Sequence, residues 1–380
     1  MRIFLDLRTI RKNMTGVGAA SLLLLKALIQ RASNHEFHCL FLKGEKPPTP
    51  LPPNFFPLET DVDYEKHPSG EWWLHFTLPD MLKRLKIDVL HGTAFLIPWR
   101  KTSFRKIVTI HDIISYKYPE GYPLAFRHYL KCVTRFSAHY ADRIIASSEN
   151  TRRDLQERLG IRGDKIDIAP CYSFDFFKLV SEDEKAAQRK ALNLPEKFML
   201  YVGTLEKRKN QITLIKAFEI FKKRTGLPYK LVLIGRAGYK SDEILSEKEK
   251  SPYAGDIDYP DIEIPQEIQP YYSCAEFFVF PSFYEGFGMP VLEAMASGTP
   301  VIAAKTSSVP EVLGEAGMYY FPPDSAENLA NIMMELALNP YRLESLRKKS
   351  LEQAAKFSSK RTAQALLSSY EKAQMGALVK

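Results

Sequence analysis

Short apolar runs alternate with longer amphipathic stretches along this chain, and the alternation starts afresh near residue 195. No other feature constrains the fold so tightly. A strand followed by a helix and a further strand of the same direction builds a parallel sheet covered on both faces. In the first half the spacing predicts strands at 2–7, 37–42, 87–90, 106–110 and 142–146, and helices over 19–30, 122–140 and 149–159. Ser147-Ser148 stand where a side-chain cap of that last helix belongs. The Pro-rich stretch 47–57 is expected as an excursion loop, because proline is excluded from helix interiors and central strands. In the second half the pattern predicts strands at 198–202, 230–234, 277–280 and 300–303, and helices over 212–223, 290–297, 324–333, 341–357 and 360–375. The charged segment 181–195 is expected to be a linker. At 380 residues the chain exceeds what one core usually supports, so two doubly wound α/β domains are expected, divided at 180/181.

Composition narrows the function. Hydrophobic residues make up 45% and charged residues 26%, the balance of a soluble globular protein. No apolar stretch approaches the roughly 18 residues that span a bilayer. Ala19 to Leu25 is short, includes Ser21 and has no small-residue cleavage site behind it, so a signal peptide is not expected. Cys39, Cys132, Cys171 and Cys274 lie far apart, with neither metal-ligand nor CxxC spacing. They exclude zinc and iron–sulfur sites and fit a reducing, cytoplasmic compartment. The net charge of +8 resides wholly in the first half: residues 1–172 hold 26 Lys and Arg against 18 Asp and Glu, whereas residues 173–380 hold 27 of each. A basic half implies an anionic partner, whether nucleic acid, a phospholipid surface or a phosphorylated acceptor.

Ligands of open parallel sheets bind beyond the carboxyl ends of the strands, so the segments after each strand carry the chemistry. Pro281 to Ala294 is the strongest of them. A buried strand runs into a loop with Gly286 and Gly288, and a helix opens with Pro290 in its first turn, where a missing N–H costs little. Glycines let a ligand approach the backbone, and the helix N-terminus suits a phosphate. Glu285 lies on the loop and Glu293 on the helix, where a carboxylate can accept bonds from a ribose diol. The second segment, Gly203-Thr204-Leu205-Glu206-Lys207-Arg208-Lys209-Asn210, places Arg208 and Lys209 at the same edge, where they can neutralise a diphosphate. His111-Asp112 ends a first-half strand, and His111 can bond substrate hydroxyls or handle a proton. His91 is read as structural. Thr15-Gly16-Val17-Gly18 is a poor dinucleotide fingerprint, with Ser21 at the third glycine position, but suits a loop closing over phosphate or acceptor.

These segments together resemble retaining GT-B glycosyltransferases of family 4. The resemblance rests on Glu285 and Glu293 with seven residues between them, on 203–210 as a diphosphate loop and on Ser307-Ser308-Val309-Pro310-Glu311-Val312. Weaker landmarks are Thr-Gly-Val-Gly at 15–18, Ile-His-Asp at 110–112 and Ala-Ser-Ser at 146–148. It implies two Rossmann-like domains facing a central cleft, with a final helix (358–380) crossing back to the first. It also implies that Glu293 holds the donor ribose and Glu285 the sugar near its anomeric carbon. The N–H groups of Phe287, Gly288, Met289 and Pro290 would meet sugar and phosphate. Arg208 and Lys209 would bind the diphosphate, with Thr204 in the same loop. His111 would reach the donor sugar, and Gly16 would line the diphosphate and acceptor side. The family needs no metal or other cofactor.

This chain has Thr204 where many members carry Arg, and Pro260 to Pro265 lacks the family's common glycine. The loop resembles that of bacterial enzymes of surface-polysaccharide and lipopolysaccharide assembly, several of which use GDP-mannose. GDP-mannose is therefore the expected donor, a UDP-sugar the next, and a glycan or lipid-linked molecule the expected acceptor. The basic first half suggests peripheral contact with an anionic cytoplasmic leaflet through Lys83-Arg84-Leu85-Lys86 and the segment Arg100 to Lys106. Two other functions compete: a nucleotide-sugar epimerase or hydrolase of the same architecture, and a nucleic-acid-binding protein using the basic half. The last requires exposed aromatics interleaved with basic residues, whereas the aromatics here fall mostly at apolar strand and helix positions.

Overall fold

The computed structural model describes residues 1–12, 16–31, 34–45, 49–63, 69–260, 262 and 265–378. Thr15 and much of the segment 260–265 lie outside the described residues. By internal contacts the chain divides into two compact units. One comprises Met1–Tyr116, Leu124–Tyr172 and Phe357–Lys380, the other Lys117–Pro123 and Ser173–Lys356.

The first unit is built on strands β1 (Arg2–Asp6), β2 (Glu36–Leu42), β3 (Phe55–Thr60), β4 (Val89–Gly92), β5 (Arg105–Ile110), β6 (Arg143–Ala146) and β7 (Ile166–Ile168). All pair in parallel, in the order β3-β2-β1-β4-β5-β6-β7. Ile3, Phe4, Leu5, Val89, Ile107 and Val108 have no exposed surface. Strands buried on both faces read as continuous apolar runs, which is why these were legible. The helices are α1 (Gly16–Arg31), α2 (Ser69–Trp72), α3 (Leu78–Arg84), α4 (Ile114–Lys117), α5 (Leu124–Tyr140) and α6 (Glu149–Leu159). The Ser148 hydroxyl caps α6 by accepting the Thr151 N–H at 3.1 Å.

Three expectations need correction here. The Pro-rich segment is not loop throughout: Phe55 to Thr60, with Pro57 inside it, forms β3. Proline is tolerated there because β3 is the sheet's edge. Helix α1 starts at Gly16 rather than Ala19, so Gly16 opens a helix instead of sitting in a loop. The third concerns the basic segment 100–106. Lys106 is buried, and its ammonium donates to the carbonyls of Pro98 (3.2 Å) and Arg100 (3.0 Å), while Arg105 pairs with Asp142 at 2.8 Å. Lys106 is thus enclosed, and Arg105, though partly exposed, is already ion-paired.

The second unit begins with α7 (Glu182–Ala191), inside the segment expected as a linker. Its sequence has no apolar stripe, which hid it. It is held by polar contacts instead: the Ser181 hydroxyl accepts the Glu184 N–H (3.2 Å) and the Arg189 guanidinium donates to the Cys274 carbonyl (2.9 Å). Strands β8 (Phe198–Val202), β9 (Lys230–Ile234), β10 (Ile257–Asp258), β11 (Phe277–Phe280), β12 (Val301–Ala304) and β13 (Met318–Tyr320) form a second parallel sheet, ordered β10-β9-β8-β11-β12-β13. Its helices are α8 (Gln211–Thr225), α9 (Asp242–Lys250), α10 (Pro265–Cys274), α11 (Met289–Ala296), α12 (Val309–Leu313), α13 (Ala326–Ala337) and α14 (Pro340–Ala354).

The chain then returns to the first unit as α15 (Ser359–Leu378). Ala363, Leu366 and Tyr370 are buried, and the Thr362 hydroxyl donates to the Pro170 carbonyl at 2.7 Å. Tyr370 meets His91 Nδ1 at 2.9 Å, and the other ring nitrogen meets the Thr109 hydroxyl at 2.8 Å. Burial lowers the His91 pKa to about 3, so this ring is a neutral structural strut between β4, β5 and α15. No helix among the described residues is long and apolar enough to cross a membrane.

Candidate active site

In each sheet the strand order reverses direction once, between β1 and β4 and between β8 and β11. Two loops leaving neighbouring strands in opposite directions open a crevice at that point. In the second unit those loops are 203–210, after β8, and 281–288, after β11. The topology thus brings together the two segments that the sequence had marked as catalytic.

They meet through charge. The Lys209 ammonium donates to Glu285 Oε1 at 2.7 Å, and an Arg208 Nη lies 3.1 Å from the same oxygen. The Arg208 guanidinium also donates to the Tyr284 carbonyl at 2.5 Å and pairs with Glu206. Arg208, Lys209 and Glu285 are all less than 10% exposed. Burial alone would push the Glu285 carboxyl upward; Lys209 and Arg208 outweigh it and hold the group below its usual range. Glu285 is therefore ionised at neutral pH. Lys209 is one wall of a cation–π contact, 5.4 Å above the Phe280 ring.

The loop backbone is pinned from the next strand. Ser307, after β12, accepts the Glu285 N–H on its hydroxyl (2.8 Å), and the Ser308 hydroxyl reaches the carbonyls of Glu285 (2.9 Å) and Phe287 (3.0 Å). Asn210, in left-handed backbone, donates to the carbonyls of Pro281 (3.1 Å) and Pro323 (2.7 Å), tying three loops together. The sequence placed Ser307-Ser308 in a family loop without a role and gave Asn210 none. These partners lie 21 or more residues away, beyond any local pattern.

Gly288 is the N-cap of α11 at φ 101°. A Cβ there would meet nothing closer than 3.8 Å, so the requirement for glycine is conformational, not spatial. Gly235, after β9, differs: a Cβ would come within 2.1 Å of the Gly203 carbonyl oxygen, so its hydrogen lets the two strand ends close up. Met289 and Pro290 are the first two residues of α11. Pro290 carries no N–H, and the Val291 N–H is taken by the Gly288 carbonyl at 3.0 Å. Pro290 therefore drops out of the amides expected to meet sugar and phosphate. Thr204 is exposed at the end of β8, and its carbonyl accepts from the Gln211 amide at 2.8 Å.

Glu293 is the fifth residue of α11 and accepts the Tyr272 hydroxyl at 3.0 Å. Burial pushes its carboxyl up to about 7, against the opposing pull of that bond. The two glutamates of the motif therefore differ in kind: Glu285 is held ionised by cations, while Glu293 sits at the edge of protonation. Tyr272 was not anticipated.

In the first unit His111 directly follows β5. Its Nε2 lies 3.1 Å from the Thr93 carbonyl, which can only accept, so Nε2 carries the proton. Burial lowers the pKa of this ring to about 4. A neutral ring with Nε2–H leaves Nδ1 as an acceptor, suited to a hydroxyl rather than to a phosphate. Among the described residues no group of three or more His, Cys, Asp or Glu is placed to hold a metal ion.

Two parallel α/β sheets, each with its loops converging at a switch point, define a GT-B glycosyltransferase, and comparison with known proteins agrees. Residues 14–171 match the family model "Glycosyltransferase Family 4" and residues 182–357 match "Glycosyl transferases group 1", and the chain belongs to this family of enzymes. O-antigen chain mannosyltransferase B of Escherichia coli is 29% identical over 388 residues, spanning 94% of this chain and 96% of that protein. Among solved structures, sucrose-phosphate synthase from Thermosynechococcus elongatus superposes with a TM-score of 0.76 at 24% identity, covering all of both chains. Anabaena HepE in complex with UDP-glucose does so with 0.73 at 14% identity, over 98% of this chain and 100% of that one.

Proposed function

We propose that this enzyme transfers a sugar, with retention, from a nucleotide diphosphate donor to a glycan or lipid-linked acceptor, and that the donor is GDP-mannose before any UDP-sugar. The observation that carries the proposal is the ionised Glu285 seated between Lys209 and Arg208 where the β8 and β11 loops meet. The mannosyltransferase name of the Escherichia coli relative supports mannose. The UDP-glucose held by the HepE neighbour supports a nucleotide sugar as the donor class.

In the proposed reaction the bond between the anomeric carbon and the diphosphate oxygen breaks, and the acceptor oxygen bonds to the same face of that carbon. The acceptor's proton passes to the leaving phosphate oxygen. Arg208, Lys209 and the amides at the start of α11 stabilise the charge gathering on the diphosphate. Glu285 faces the positive charge developing on the sugar, Glu293 accepts the ribose diol, and His111 Nδ1 accepts a sugar hydroxyl. Gly16 lines the diphosphate and acceptor side. No step calls on a metal or another cofactor. The test is nucleotide release from GDP-mannose, GDP-fucose, UDP-glucose, UDP-galactose and UDP-N-acetylglucosamine, each with and without acceptor glycans. Glu285-dependent release from GDP-mannose is expected. If neither GDP nor UDP binds, the proposal fails.

Glu293 makes the proposal pH-sensitive in one direction. Burial raises its pKa to about 7, and ribose hydroxyls donating to it favour the ionised form. Nucleotide affinity should therefore weaken as the pH falls below about 7. The Glu293→Gln protein should lack that component. Calorimetric titrations of both proteins from pH 5.5 to 8.5 compare the two slopes; identical slopes would remove Glu293 from the ribose site.

Peripheral contact with an anionic leaflet belongs to the same proposal: Lys83, Arg84 and Lys86 of the expected segment are exposed, and helix α5 adds a further surface. Helix α5 carries Arg127, Lys131 and Arg135 and no acidic residue, yet it exposes Leu124, Phe126, Phe136 and Tyr140. Exposed Trp99 borders the same apolar hollow as Phe136 and Tyr140. Basic residues interleaved with large exposed apolar ones suit the interfacial zone of a bilayer. Co-sedimentation with phosphatidylglycerol vesicles at low salt is expected, and Phe126→Glu with Phe136→Glu should abolish it. Equal binding by the double variant, or none by the wild type, would remove this surface.

A further inference from the structure

In the proposed mechanism Arg208 and Lys209 meet the diphosphate, yet both already face carboxylates. Lys209 pairs with Glu285, and Arg208 pairs with both Glu285 and Glu206. The formal charges of these four groups cancel. Thr204 supplies no further cation to this loop. An arriving diphosphate must therefore take a cation from a partner it already has.

The two carboxylates are not equally placed to give one up. Glu285 is bonded by Lys209 as well as by Arg208, its backbone is pinned by Ser307 and Ser308, and its side chain is 9% exposed. The Glu206 side chain is 18% exposed, twice as open, and sits next to exposed Lys207. It can turn toward water at little desolvation cost. Arg208 would stay seated without it, because its guanidinium is also held by the Tyr284 carbonyl and by Glu285.

We propose that Glu206 competes with the donor's diphosphate for Arg208, and so sets how tightly the nucleotide is held and how readily the spent nucleotide leaves. This rests on the assignment of the diphosphate to Arg208 made above. A merely positioning Glu206 gives the opposite sign: removing it would loosen Arg208 and weaken binding. Competition means that removing it strengthens binding.

The experiment is calorimetric titration of the full chain with GDP and with UDP. Glu206→Gln and Glu206→Ala are both expected to bind the nucleotide more tightly, by roughly three- to tenfold, the worth of one partly buried ion pair no longer to be broken. The nucleotide should also dissociate more slowly by a similar factor. Unchanged or weaker affinity in both variants overturns the proposal. In an Arg208→Gln background the gain should vanish; a gain that persists there would assign it to the general field of the site and overturn direct competition. If Arg208→Gln alone binds as tightly as the wild type, the fault lies in the diphosphate assignment itself.

Discussion

Glu285→Ala is expected to lower sugar transfer by roughly 10²–10³-fold or more, the scale seen when one preorganised electrostatic group is taken from a transition state. The argument begins with what holds the residue. Lys209 and Arg208 lower its pKa against the push of burial, so the carboxylate is charged before any donor arrives and no proton need leave during the reaction. Ser307 and Ser308 hold its backbone, so the charge does not have to be positioned during the reaction either. Removing the side chain also leaves Lys209 without its carboxylate, so the fold must be checked beside the rate. Circular dichroism and thermal melting of Glu285→Ala and the isosteric Glu285→Gln serve that purpose. Folded variants with near wild-type turnover would refute the role of Glu285. Linkage gives a further check: a depressed carboxyl contributes stability that is present at neutral pH and is lost as the pH falls through its folded pKa. Glu285→Gln should remove part of the wild type's acid sensitivity.

The second large effect is on stability. Asp6 and Arg8 form a two-point ion pair at the end of β1: Arg8 Nε lies 2.9 Å from Oδ1 and Nη2 lies 2.7 Å from Oδ2, with both residues almost wholly buried. The same guanidinium donates to the Val62 carbonyl at 3.0 Å and lies 4.8 Å over the Trp73 ring. Asp6→Ala leaves that cation buried without its counter-charge, a change that typically costs about 3–5 kcal/mol. Equilibrium denaturation should show the loss in the transition of the first unit, with the pH dependence of nucleotide binding at the second unit unchanged. A loss under about 1 kcal/mol would mean that the Trp73 face and the Val62 carbonyl suffice to compensate Arg8. The strand itself was legible, expected at 2–7 and found at Arg2–Asp6, but its sequence gave no sign that Asp6 pairs with Arg8.

Particular elements show where local pattern carries information. The strands at 198–202, 230–234 and 277–280 and the helix at 149–159 appear in the structure with the bounds that periodicity and capping gave them. Helix α7 was missed because a helix without an apolar stripe has no period to detect, and β3 because edge position, which excuses Pro57, is a property of the sheet. Lys106 misled for the same kind of reason. A run of basic residues looks like a surface until the carbonyls of Pro98 and Arg100 are seen to enclose one of them.

By itself the sequence determined the alternation of strand and helix, the two parallel sheets, and which loops carry acids, cations and glycines, because each of these depends on neighbours within about four helical turns. Only the tertiary structure decided which charges meet. Lys209 and Glu285 are 76 residues apart and are joined because β8 and β11 are adjacent where the strand order reverses. The same folding gave Glu293 its burial and Tyr272, and so separated two chemically identical side chains into one held ionised and one near its point of protonation. Electrostatic character depends on burial and on the nearest opposite charge, and neither exists until the chain has folded.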